Sequence, residues 1–144
     1  MGSYADDALF MSRNNIEYVE LISDDGKSKV MVIPAWQGRV MTTSAAGDEG
    51  DSYGWINYSF IKKRQIDLQF NPVGGEERFW LGPEGGVFSL YFRQGEKQIY
   101  KNWKVPPVLD IEAFKIQSQS KNCICLTQKT HITMLALTDS KDNK

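Results

Sequence analysis

The feature that most constrains this chain is the crowding of short, alternating apolar segments between turn residues, with almost no helical periodicity along its length. IEYVELIS (16–23) is followed by DDGK and then SKVMVIP (28–34), which reads as a β-hairpin. Asp25 and Gly26 tolerate the positive φ of a primed turn, and β-branched residues dominate the returning strand. Pro34 ends that run because it cannot donate to a ladder. RVMTTS (39–44) resumes as a strand, and AAGDEGDSYG (45–54) is a loop by composition.

GWINYSF (54–60) reads as a short aromatic strand, with Trp55 and Asn57 on one face and Ile56 and Tyr58 on the other, followed by a helical turn at IKKRQID. VFSLYFR (87–93) alternates well, and Phe88, Leu90 and Phe92 form its better core face. After the breaker Pro106-Pro107 come three strand candidates, IEAFKIQSQ, NCICLTQ and THITMLAL. The pattern predicts an all-β fold, an antiparallel β-sandwich, as a single domain over residues 1–144. Only TDSKDNK follows the last strand, so an unpaired apolar edge is expected there, and with it a homodimer formed edge to edge or early closure into a smaller sandwich, the third outcome being an aggregation-prone fragment.

Composition removes several function classes. A chain of 144 residues buries an adequate core without metal or disulfides, and its 17 basic and 18 acidic residues leave a net charge of −1. No basic face exists to release counterions, so nucleic acid is not an expected partner, and Lys62-Lys63-Arg64 reads as a solvated turn. No apolar run approaches the ~20 residues of a membrane span, and MGSYADDALFMSRN lacks the basic end and apolar stretch of a secretion signal. Cys123 and Cys125, two apart on a strand, share a face and read as small core residues. With His131 the only histidine, neither a zinc site nor a catalytic triad is indicated, and no phosphate loop or dinucleotide fingerprint implies a cofactor.

Three stretches could carry chemistry. GGEERFWLGPEGGVFSLYF (74–92) sets carboxylates, an arginine and a tryptophan among glycines that permit sharp turns or close approach. It is either an ordered loop, with Phe79, Trp80 and Leu81 packed and Glu76, Glu77 and Arg78 in water, or a sugar site in which Trp80 stacks while Arg78 and Glu77 orient hydroxyls. A glycosidase pair, Glu77 with Glu84, would need a separation of about 5.5 Å or about 6.5–9.5 Å. In PAWQGRVMTTSAAG, Gly38 allows a bulge or close approach, and Arg39 either pairs with Asp48, Glu49 or Asp51 or serves a ligand. In GWIN, Trp55 and Asn57 add an aromatic face and an amide.

Taken in order, PAWQGRVMTTSA, GWIN and GGEERFWLGPEGGVFSLYF, followed by NWKVPP and DIEAF, resemble a bacterial family related to the galactose mutarotase-like, or aldose epimerase-like, β-supersandwich. The resemblance covers roughly residues 5 to 116 and implies the N-terminal part of a larger supersandwich whose concave face binds a carbohydrate. It also implies an extracytoplasmic sugar context. In mutarotases a histidine acid and a glutamate base interconvert anomers. This chain has no His-Gly-Gly motif, His131 does not match the catalytic histidine, and no catalytic residue is assigned. The expectation is a carbohydrate-binding protein that acts on a sugar or glycan, with Arg39, Asn57, Glu77, Arg78 and Trp80 as ligand-binding groups. The alternative is a non-catalytic carbohydrate-binding or structural interaction module.

Overall fold

The computed structural model describes residues 2–132. Within them the chain is β-rich, with few helices, and every strand pair is antiparallel. Strands β1 (Val19–Ile22), β2 (Lys29–Ile33) and β3 (Arg39–Ser44) form a three-stranded sheet in sequence order. The expected hairpin is present, but residues 23–28 connect its strands and only Gly26 has the positive φ expected of both turn residues. Asp25 instead holds the loop through Oδ1, which accepts from Ser23 Oγ and Lys27 N. Pro34 ends β2 as expected, opening a 3₁₀ turn over Pro34–Trp36.

Two two-stranded sheets complete the strand inventory: β4 (Trp55–Ile56) with β5 (Gly74–Gly75), and β6 (Lys115–Gln119) with β7 (Ile124–Thr127). β5 lies beside β3, where Val40 bridges to Glu77 and the Glu76 amide donates to Val40 O at 2.9 Å. The β6–β7 hairpin leans on the first sheet through Leu126. A Cβ built on Gly38 would lie 2.7 Å from its Cδ1, so the close approach expected at Gly38 is real. Among the described residues no helix is long and apolar enough to cross a membrane.

Local chemistry overrode the strand reading in three places. The chain opens with a ten-residue helix, α1 (Tyr4–Arg13), which the apparent lack of helical periodicity missed. Its signal is a capping box: Ser3 Oγ accepts from Asp6 N and Asp6 Oδ2 accepts from Ser3 N, with acid in the first turn and Arg13 in the last. The second correction concerns GWINYSF, which is extended for only two residues. Asn57 Oδ1 accepts from Phe60 N at 3.1 Å and caps helix α2 (Tyr58–Lys62), so Tyr58 leaves the strand.

The third correction is VFSLYFR, which is a series of turns. Ser89 Oγ accepts from Tyr91 N and Phe92 N, at 2.9 and 3.1 Å, and so takes the amides that a neighbouring strand would have used. The buried face is Ser89 and Tyr91, while Phe88 is exposed. Cys123 and Cys125 do share a face, but it is the outer one: both are exposed free thiols, because Ile124 and Leu126 turn inward instead. THITMLAL, with the sheet edge expected there, lies outside the described residues apart from its first three positions.

Two hydrophobic clusters result. The first joins α1, β2, β3 and α2 through Tyr4, Met11, Met31, Ile33, Met41, Ile56 and Ile61, closed by Val73. The second collects Tyr91, Val105, Val108 and Leu109 with the half-buried Phe70, Trp80 and Trp103. A buried polar chain fastens α1 to the first cluster: Asp7 accepts from Ser52 Oγ and Tyr58 Oη, and Ser52 Oγ lies 2.5 Å from Thr42 Oγ1.

Removing that anchor leaves hydroxyls without their acceptor, so Asp7→Ala is expected to cost about 1–3 kcal/mol. Urea unfolding measures it, and an unchanged midpoint would refute the anchoring role. Burial pushes the Tyr58 and Tyr91 hydroxyls up to about 12, helped by Asp7 and by Glu84 respectively. The folded state therefore holds these protons more tightly than the unfolded chain, whose tyrosines titrate near 10. Their stabilisation is complete below pH 10 and is lost as pH rises through about 12. A melting temperature followed over that alkaline range should fall, and less steeply in Tyr91→Phe.

Candidate functional site

Between the two clusters lies a group of charged side chains withdrawn from water. Arg39, the first residue of β3, has a side chain only 2% exposed, and Asp110, which follows Leu109 of the second cluster, 4%. Asp110 Oδ2 accepts from both the backbone N and the Nδ2 of Asn71, each at 2.8 Å. Asp110 Oδ1 faces Arg39 Nη2 at 3.7 Å and Arg78 Nη2 at 3.8 Å, ion-pair distances too long for hydrogen bonds. Two guanidiniums thus share one carboxylate. Burial, with the neighbouring Arg78 charge, brings the Arg39 pKa down to about 10 against the pull of Asp110, and it stays charged at neutral pH. Burial also lowers that of Arg78, opposed first by Asp110.

Glycines make room for this arrangement. Gly74 and Gly75 have φ of +93° and +116°, and a Cβ on them would meet Trp55 O at 2.2 Å and Arg39 Cδ at 2.8 Å. Arg39 Nη1 donates to Gly74 O at 2.7 Å. Around these glycines is a cavity of about 190 Å³, lined by Arg39, Gly74, Gly75, Glu76, Glu77 and Arg78. Glu76 Oε1 accepts from Thr43 Oγ1, and Trp55, paired with Gly75, is 65% exposed beside it.

The residues expected to bind ligand are partly gathered here. Arg39, Glu77 and Arg78 line one cavity. Arg39 finds its ion-pair partner in Asp110, not in the loop acids: Asp48 is taken by Lys29 at 2.6 Å. Arg78 is not a solvated loop residue. It donates to Leu109 O, faces Asp110, and lies over the Trp80 ring at 4.1 Å. Trp80 also stacks on Tyr91 with centroids 5.1 Å apart and donates from Nε1 to Glu84 at 2.7 Å, so its ring and its polar edge both have protein partners. Glu84 is absent from the cavity lining. Asn57 stands apart as the α2 cap, its Nδ2 donating to Pro72 O.

Sequence reasoning missed Asp110 and Asn71, because nothing in VPPVLDIEAF says that one acid will be buried between arginines 32 and 71 positions away in sequence. The only local signal is an acid directly after the apolar pair Val108-Leu109. Asp110→Ala should leave the buried Arg39 guanidinium and the half-buried Arg78 uncompensated and cost about 3–5 kcal/mol. Arg78→Ala should likewise lower the urea midpoint, by a smaller amount since that side chain is partly exposed. Wild-type midpoints in both variants would remove the cluster from any structural role.

Among the described residues no group of three or more His, Cys, Asp and Glu side chains is placed to hold a metal ion. No curated protein and no solved structure matches the chain. A family model matches residues 2–141, nearly its whole length, and the chain belongs to that family, described as a family of unknown function (DUF6786).

Proposed function

We propose that the chain is a carbohydrate-binding protein of mutarotase-like type, the N-terminal portion of a larger β-supersandwich, and that the sugar sits at the cleft around Gly74 and Gly75. One observation carries the reading: a small cavity whose lining brings Arg39 and Arg78 together with Glu76 and Glu77 around Gly74 and Gly75. Sugar hydroxyls both donate and accept, so a mixed lining of arginine donors and glutamate acceptors suits them. Stacking falls to Trp55 in place of Trp80, since Trp55 is exposed beside the cleft while Trp80 is engaged with Arg78 and Tyr91.

The non-catalytic form of this reading is favoured by a specific feature. Anomer interconversion needs an acid and a base that exchange protons near neutral pH. The cleft lining holds glutamates and arginines, and arginine does not give up its proton in proteins. His131 lies against a different cavity, with Leu90, Val105 and Glu112. Association of two copies through a sheet edge belongs to the same proposal: β6 is exposed along its length and, among the described residues, pairs only with β7.

Glycan-array screening followed by titration tests the proposal. Trp55→Ala is expected to weaken binding about threefold to tenfold, the worth of one stacking contact, with little change in melting temperature. Trp80→Ala should do the reverse, lowering the melting temperature first. Failure to bind any glycan, or full affinity in Trp55→Ala, counts against the site. Acceleration of anomer exchange in an NMR assay would instead establish turnover.

A further inference from the structure

The hairpin of β6 and β7 carries both cysteines of the chain on one open face. Ile124 and Leu126 turn inward, Leu126 against Gly38, and so present Cys123 and Cys125 to solvent as free thiols. Across the hairpin Ser118 pairs with Cys125, and the Ser120 amide donates to Cys123 O at 2.8 Å. Residues opposite each other in a ladder project to the same face, so two serine hydroxyls flank the two thiols. All four residues are exposed, and serine is too short to cover a neighbouring sulfur.

Geometry decides what such a pair can do. Residues two apart on an antiparallel strand stand about 6.8 Å from each other, whereas a disulfide needs Cβ atoms about 3.5–4.5 Å apart, so the ladder would have to break for the two to join. An ion bound at about 2.3 Å from each sulfur spans about 4.6 Å between them, a gap that thiols leaning toward each other from one face meet without moving the backbone. Among the described residues no third His, Cys, Asp or Glu side chain completes a larger ligand set. Zinc, which takes three or four protein ligands, is poorly served by two, and hard ions prefer oxygen. A soft ion content with two thiolates in a line is matched.

We propose that Cys123 and Cys125 form a two-coordinate site for a soft monovalent metal ion of the Cu(I) type, one ion per chain. Each thiol gives up its proton as its sulfur binds, so one Cu(I) and two thiols yield a singly anionic bis-thiolate and two protons released to solvent, with no change of oxidation state. The site shares no residue with the glycine-lined cleft and does not depend on the carbohydrate reading.

Cu(I) is the probe, supplied without oxygen to the phosphine-reduced chain in competition with a chromogenic Cu(I) chelator, and Zn(II) is the control. One equivalent of Cu(I) per monomer should leave the chelator and protect both thiols from alkylation, while Zn(II) protects neither. Cys123→Ser and Cys125→Ser should each weaken binding about 100-fold, the loss of an intramolecular second contact. Thr127 is exposed on the same face. The double variant Cys125→Ser with Thr127→Cys therefore keeps two exposed thiols but sets them about 14 Å apart, and it should bind no better than the single variants. No transfer from the chelator, half an equivalent with two chains per ion, full affinity in any of these variants, or equal protection by zinc would each overturn the assignment.

Discussion

The carboxylate of Asp110 is the point on which the two halves of this structure depend. It follows Leu109 in the second hydrophobic cluster, yet its partners come from β3, from the segment before β5 and from the loop after it. Burying one carboxylate among two guanidiniums leaves an excess positive charge, tolerable only where donors and acceptors are supplied by fixed backbone. Gly74 O and Leu109 O do this for Arg39 and Arg78. The cluster therefore sets the path of the chain around Gly74 and Gly75, where no extended ladder could do so.

The same logic explains the long stretch between α2 and β6. Apart from the two residues of β5, it has no strand, and its backbone groups are satisfied by side chains and single contacts. Ser89 serves Tyr91 and Phe92, Gln98 serves Gly86, and Tyr91 Oη donates to Leu81 O. Stacked aromatics supply the packing that strand pairing would otherwise provide: Trp80 on Tyr91, Tyr91 on Trp103, and Tyr100 on Trp103. Trp80, conspicuous in the loop, is engaged in this packing, on Tyr91 and beneath Arg78. The groups left for a ligand are those that line the glycine-flanked cavity, Arg39, Arg78, Glu76 and Glu77, with the exposed Trp55 at its rim.

The local content of the chain was legible where one short-range interaction decides the outcome. Gly26 turns its hairpin, Pro34 ends its strand, and RVMTTS is extended because β2 pairs with it, although a bulge between Met31 and Val32 breaks its alternation and buries Met41 and Thr42 in succession. The capping box at Ser3 and Asp6 was equally local and was obscured by an apolar pattern that buries only Tyr4, Asp7 and Met11 of the helix. What alternation alone cannot tell is whether a partner strand exists. VFSLYFR alternates as well as any strand here, but Ser89 took its amides, and NCICLTQ alternates with its cysteines facing solvent.

Sequence by itself determined the β-rich class, the antiparallel hairpins and the stretches where chemistry gathers, since turn residues and side-chain periodicity act over a few positions. Tertiary structure alone decided the partners of the charges. Arg39 could have joined Asp48, Glu49 or Asp51 nearby, but Asp48 is held by Lys29 and the buried end of β3 faces Asp110, 71 positions onward. An ion pair between distant segments is chosen by which surfaces are buried together, and that is a property of the assembled fold.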